Sequence, residues 1–235
     1  MTHSKELNER SPLRVFERSI HGGLGKGNLG VVCAGPGVGK TAFLVGIALD
    51  YLMQERQVLH VAADQPVDRV RNYYDEIFTE LARSEELEDA AEVRLRIERH
   101  RRIHTYQEHS FNVEALHTTL TFMRQHTELD PDLMILDGYD WENGSDKELD
   151  ELKKIAEEQT AELWLSARAP RDWEADGPDD YPDFIARFVP ALQVVVQLRT
   201  TNGSVKLNLL KDHDNPEPRT ISVELDPTTL LLVKR

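Results

Sequence analysis

The chain has 235 residues, with 28 Lys plus Arg against 42 Asp plus Glu, for a net charge of −14. One domain of ordinary size is expected, since domains run to about 100–200 residues, and 40% apolar with 30% charged residues is a soluble, foldable balance. The acidic excess argues against a general nucleic-acid coat, which needs Lys and Arg to neutralise phosphates. The single cysteine, Cys33, excludes an internal disulfide and a Cys-rich zinc site. No apolar run follows the N-terminus, and the longest, Ala42 to Leu49, falls far short of the ~20 residues of a membrane span. A cytoplasmic location and no membrane partner are therefore expected.

Residues 1–19 are polar and mixed in charge, and read as a tail or a short docking segment before a domain over 20–235. Gly30 to Ala34 is a short β-branched run ending in glycines, the pattern of a buried strand. Ala42 to Met53 is apolar nearly all round and predicts a central helix. Gln57 to Ala63 predicts a second strand, and Pro66 to about Arg102 is charged and mostly helical, with Glu92/Arg96 and Glu98/Arg102 at i,i+4. A strand edge at Ile103–Tyr106, a helix from Val113 to about Gln125 and a strand at Asp132–Asp137 follow. Next come a helix at Asp146–Gln159, a strand at Glu162–Ala167 and a proline-rich loop over Pro170–Asp183. The tail then turns to strands at Leu192–Thr200, Val205–Leu210, Ile221–Leu225 and Leu230–Val233, with Asn202-Gly203 as a hairpin turn. The order predicts an α/β fold: a mostly parallel central sheet flanked by helices, with antiparallel C-terminal edge strands.

The segment Ala34-Gly35-Pro36-Gly37-Val38-Gly39-Lys40-Thr41 ends as a Walker A motif does and lies between a strand and a helix. Glycines let backbone N–H groups close around phosphate oxygens, and the helix start adds its positive dipole end. Lys40 would reach the β- and γ-phosphates and Thr41 would ligate Mg²⁺. Gly35, Pro36, Gly37, Val38 and Gly39 form the cradle. Asp137, ending the apolar run Leu133–Leu136, is the matching carboxylate for the metal. A second match, G-x-G-x-x-G over Gly25–Gly30, precedes a strand instead of following one, so a turn is expected there and not a dinucleotide site.

Together with His21-Gly22-Gly23-Leu24-Gly25-Lys26-Gly27 ahead of the first strand, these features resemble the RecA-superfamily P-loop ATPases, in the branch of KaiC, RadA and the DnaB helicases. The resemblance spans about residues 20–225. It implies a RecA-like P-loop NTPase domain that uses ATP and Mg²⁺. Val58 to Pro66 is similar to the family's second core strand, which ends in a catalytic Glu; this chain has Asp64. Asp64 is therefore either a shortened water-orienting carboxylate, implying slow hydrolysis, or an N-cap before Pro66. Leu165-Ser166-Ala167-Arg168 resembles the sensor strand but lacks the usual amide. Val205–His213 resembles the late hairpin that feeds a neighbour's ATP. Lys211 and His213 are then trans-acting candidates, or caps of an exposed hairpin.

DNA-gripping loops in that superfamily follow the Walker B and sensor strands. Here Gly138–Glu148 carries Asp140, Glu142, Asp146 and Glu148 against Lys147. Pro170–Asp183 carries Asp172, Glu174, Asp176, Asp179, Asp180 and Asp183 against Arg171. Both would repel phosphates, so nucleic acid is not an expected partner and a helicase or recombinase fits poorly. The arginines at 94, 96, 99, 101 and 102 read as a solvated helix face balanced by nearby Glu. His100 and His104 straddle a helix–strand junction, so no zinc pair is expected. The expected function is a slow MgATP-binding ATPase, a KaiC-like regulatory or motor subunit, with a homo-oligomer or protein partner. The alternative is a non-hydrolysing ATP-binding switch or scaffold.

Overall fold

The computed structural model describes residues 12–107, 110–127, 129–171, 173–175, 177–215 and 221–234. Nine strands form one sheet, in the order β3-β2-β4-β5-β1-β6-β7-β8-β9. They are β1 Leu29–Ala34, β2 Val58–Ala62, β3 Arg101–Thr105, β4 Leu133–Asp137, β5 Glu162–Arg168, β6 Val194–Thr201, β7 Ser204–Asp212, β8 Val223–Leu225 and β9 Leu232–Lys234. All pairings from β3 to β6 are parallel and those from β6 to β9 antiparallel. The α/β class and the antiparallel C-terminal edge expected from the sequence are thus present. β1, β2 and β4 are buried along their whole length, which is why they read as unbroken apolar runs rather than alternating ones.

Helices cover both faces. On one lie α1 Pro12–Ser19, α2 Lys40–Met53, α3 Val67–Ser84 and α4 Ala90–His100; on the other lie α5 Val113–Thr127 and α6 Asp146–Gln159. A single-turn helix α7, Asp183–Ala186, and a 3₁₀ turn at Val189–Ala191 lead into β6. α2 is buried nearly all round because α1, α3, α4 and the sheet surround it. The long charged stretch is two helices: Glu86 adopts φ 50° in the intervening turn.

Of the two readings of residues 1–19, a tail or a short docking segment, residues 12–19 fit the second. They form α1, whose Leu13 and Phe16 are buried with Ile20 and Leu24 in the same core as α2. Phe16 meets Phe43 edge-on at 5.3 Å and Trp164 at 6.1 Å. The spacing 13, 16, 20 puts three apolar side chains on one helical face, so the chain order has no boundary at residue 20. The rest of the tail, residues 1–11, lies outside the described residues.

The hairpin between β6 and β7 turns at Asn202 and Gly203, both at positive φ (50° and 86°), with Thr201 opposite Ser204. Positive φ at both central residues is a type I′ requirement that Asn-Gly meets. The Gly25–Gly30 segment is a turn entering β1, as its place before a strand implied, with Gly25 and Gly27 at φ 84° and 76°. Gly30 lies within β1, where a Cβ would stand 2.8 Å from the Trp164 ring.

Candidate functional site

The carboxyl ends of parallel strands are where open α/β sheets bind ligands. Here a cleft of about 910 Å³ opens above the ends of β1, β2, β4 and β5. It is lined by Pro36, Gly37, Gly39, Lys40 and Thr41 from the glycine loop and the start of α2. Gly37 and Gly39 take φ 76° and 118°, a region that costs other residues strain. A Cβ on Gly39 would also lie 2.6 Å from Leu225 of β8, so the C-terminal strands press the loop from outside.

Lys40 folds back on the loop, its Nζ donating to the carbonyls of Ala34 (2.9 Å) and Gly35 (3.0 Å). Burial lowers its pKa and the nearby charge of Asp137 opposes that shift. Thr41 Oγ1 donates to Asp137 Oδ2 at 2.7 Å, and Gln65 Nε2 donates to the same oxygen at 3.1 Å. Thus Lys40, Thr41 and Asp137, far apart in sequence, meet at one wall of the cleft, although β5 separates β4 from β1. No cluster of three or more His, Cys, Asp or Glu among the described residues is arranged to hold a metal alone. One hydroxyl and one carboxylate nonetheless suit Mg²⁺, which keeps several waters and takes its other ligands from phosphate.

Asp64 lines the same cleft just past β2. It does not cap α3: the N-cap is Pro66, with no side-chain cap bond. Its carboxyl pKa is raised, first by desolvation against the cleft wall and then by the charge of Asp137. Close approach is possible because residue 138 is glycine. At φ 89°, a Cβ there would fall 2.5 Å from Asp64 Cγ. Gly138 N–H donates to Ser166 Oγ (2.9 Å) and Trp141 Nε1 donates to Ser166 O (2.7 Å), so the end of β5 fixes the loop after β4.

Three lining groups gave no sign in the sequence: Arg69, Tyr73 and Glu76. They sit at i, i+4 and i+7 on α3, where they look like part of any charged helix face; only the end of β2 beside them marks them as cleft residues. Phe111 also faces the cleft and begins an aromatic row. His104, Tyr106, Phe111, Tyr139, Trp141 and Phe188 follow one another with successive ring centroids 4.8 to 6.2 Å apart.

Lys211 and His213 lie at the other end of the sheet. Asp212 is opposite Val194, which pairs with Gly30 near the start of β1. Lys211 Nζ donates to the carbonyls of Val189 (2.8 Å) and Leu192 (2.6 Å). His213 bonds Asp212 Oδ1 (3.0 Å) and the Leu24 carbonyl (3.2 Å), and His21 Nδ1 bonds Asp212 Oδ2 at 2.5 Å. Burial would raise the Asp212 pKa, but bonds from His213, Asn215 and His21 bring it below the usual value. A trans-acting role would require Lys211 and His213 to leave these bonds.

Of the arginine cluster, Arg94 pairs with Asp75, Arg96 with Glu55, and Arg101 with Glu98 while stacked on Tyr74, and Arg102 donates to the carbonyls of Arg99 and Arg101. Arg101 and Arg102 belong to β3 and Arg101 is buried, so only the α4 arginines form the helix face expected. His100 ends α4 and His104 lies in β3, so the two do not share a helix. In the loop after β5, Glu174 pairs with Arg199 and Tyr181 donates to Asp179; Asp172 and Asp176 lie outside the described residues. No helix among the described residues is long and apolar enough to cross a membrane. No known protein-family model and no curated protein matches this chain.

Proposed function

We propose that the cleft binds MgATP and hydrolyses it slowly. The observation that carries this reading is the joining of Thr41 to Asp137 at the foot of a glycine loop that also places Lys40. That arrangement combines a backbone cradle, a lysine cation and a hydroxyl–carboxylate pair, the parts that phosphate and Mg²⁺ need. Bound Mg²⁺ would supply charge neutralisation on the β- and γ-oxygens, with Thr41 and Asp137 holding it directly or through water. Lys40 exchanges its two carbonyl partners for phosphate oxygens. Asp64 orients a water whose oxygen bonds to the γ-phosphorus as the bond to the β,γ-bridging oxygen breaks. ADP and inorganic phosphate are the products, and the water's proton passes to the released phosphate or to solvent.

RecA-superfamily membership and a KaiC-like regulatory or motor role belong to the same proposal. The strand–loop–helix order, a carboxylate-ended strand two places from β1 and the late antiparallel hairpin support them. The acidic loops disfavour a helicase or recombinase. A second reading, a nucleotide-occupied switch that does not turn over, is favoured by the internal bonds of Lys211 and His213 and by the short reach of Asp64.

The test is calorimetric titration of MgATP and MgADP. Lys40→Ala should weaken triphosphate binding by at least about tenfold, since charge-assisted bonds carry ~1.5–3 kcal/mol each. Thr41→Ala should flatten the Mg²⁺ dependence. Equal affinity in Lys40→Ala and the parent would refute the site. Phosphate release measured beside the affinities separates the ATPase from the switch.

A further inference from the structure

β5 pairs with β1 so that Arg168 lies opposite Ala34, the residue from which the glycine loop springs. Side chains two apart share a face of a strand. Trp164 packs edge-on against Phe43 of α2, and Ser166 receives the Gly138 N–H. Arg168 is the next residue on that same face, one step past the buried end of the strand, and it lines the cleft beside Lys40, Thr41 and Asp137. Its charge is close enough to Lys40 to help lower the lysine pKa. Yet the Arg168 side chain makes no hydrogen bond or ion pair among the described residues, whereas Arg94, Arg96 and Arg101 are paired with carboxylates. Asp137 and Asp64 stand beside Lys40, while no carboxylate among the described residues is bonded to the Arg168 guanidinium, which leaves its fork open to a polyanion in the cleft.

We propose that Arg168 is a cis-acting cation for the γ-phosphate, contributed by the chain that binds the nucleotide rather than by a neighbour. The inference rests on the nucleotide reading above. Placement supports the assignment: Lys40 approaches from the loop, and Arg168 from the adjacent strand. The candidate trans cations are held by their own chain at the far end of β1, about 13 Å along the strand at ~3.3 Å per residue. A guanidinium fork matches two phosphate oxygens at once. Charge spreads over the γ-oxygens as water bonds to phosphorus and the bridging oxygen departs with ADP, so this contact strengthens in the transition state.

Full-length parent, Arg168→Ala, Arg168→Lys and, as a control for loss of a positive charge outside the cleft, Arg71→Ala, which should match the parent, are titrated with MgATP and with MgADP. Phosphate release is followed over a hundredfold range of protein concentration. In Arg168→Ala, MgADP affinity should match the parent, the preference for ATP over ADP should collapse, and turnover should fall by about 10²–10³-fold, as for loss of one transition-state donor. Arg168→Lys should recover part of both. Parent specific activity should not change with concentration. An unchanged ATP preference in Arg168→Ala overturns the inference. So does a parent activity that rises with concentration and is restored to Arg168→Ala by added Lys40→Ala chains. If the parent binds nucleotide without turnover, the ATP preference alone decides. If the parent binds neither nucleotide, the nucleotide reading itself fails, a result distinct from failure of Arg168.

Discussion

Replacing Gly138 by alanine separates folding from chemistry at this cleft. Gly138 has φ 89°, where an L side chain meets its own carbonyl, at a cost of about 1–2 kcal/mol. A chain of this length loses ~2–4 °C of midpoint per kcal/mol, so Gly138→Ala should melt about 2–8 °C below the parent. The added Cβ would also sit 2.5 Å from Asp64 Cγ and 2.5 Å from Oδ1. Asp64 is exposed to the cleft, so its carboxylate gives way by rotating about χ1 with little further loss of stability. What is lost is the position of the carboxylate. Turnover at saturating MgATP should fall, and it should fall only where Asp64 is functional. Asp64→Asn alone should lower turnover and leave ATP affinity nearly unchanged. In the Asp64→Asn background, Gly138→Ala should cost the same melting temperature but almost no additional turnover. Thermal unfolding and phosphate release on the four proteins complete the cycle. Turnover losses that multiply independently would refute the claim that Gly138 serves Asp64.

Gly30→Ala should destabilise by about 1–3 kcal/mol through overpacking against Trp164, and Trp164→Leu should relieve it; equal stability of Gly30→Ala and parent by urea titration would refute the contact. His60 is buried and its pKa is depressed to about 4, chiefly by desolvation, with Asp137 opposing and Arg101 adding to the shift. The unfolded chain therefore takes up a proton first, so stability is full above about pH 6.5 and declines as pH falls towards 4. The double variant His60→Phe, Tyr74→Phe removes the group and the hydroxyl 3.2 Å from it, and should flatten that decline in urea midpoints. Single- and double-stranded DNA titrated at physiological salt should form no sub-micromolar complex; one that forms would point back to the arginines of α4 and β3.

The sheet was largely legible because burial on both faces writes continuous apolar runs, and because Asn202-Gly203 has the torsions that its turn demands. The loop and Asp137 were legible for a similar reason: positive φ at Gly37 and Gly39 calls for glycine, and an apolar strand that ends in a carboxylate stands out locally. Other features had no local signature. The helical form of α1 and its place in the core had no clear signal, because Arg14, Glu17 and Arg18 mask a three-residue apolar stripe, and the sequence offered only a tail or a short docking segment there. Apart from the His213–Asp212 bond, the bonds of Lys211 and His213 are made with residues 19 to 189 positions away, which no neighbouring residue announces. Arg168 stood in the sequence only as a departure from an amide; its place beside Lys40 follows from the register of β5 on β1.

The aromatic row gives the cleft an optical consequence. The chain has three tryptophans, and two of them sit on opposite sides of the sheet. Trp164 is wedged by Phe16 and Phe43 on the α2 side, away from polar ligands. Trp141 donates its indole N–H to Ser166 and stacks edge-on with Tyr139, which meets the cleft-lining Phe111. A ligand that shifts Phe111 or the end of β5 changes the field around the Trp141 indole while leaving that of Trp164 alone. With Trp173, which packs on the Trp141 side, replaced by Phe, the molecule would carry a fluorescent gauge of cleft occupancy together with an internal standard, and Trp141→Phe should silence the first and leave the second.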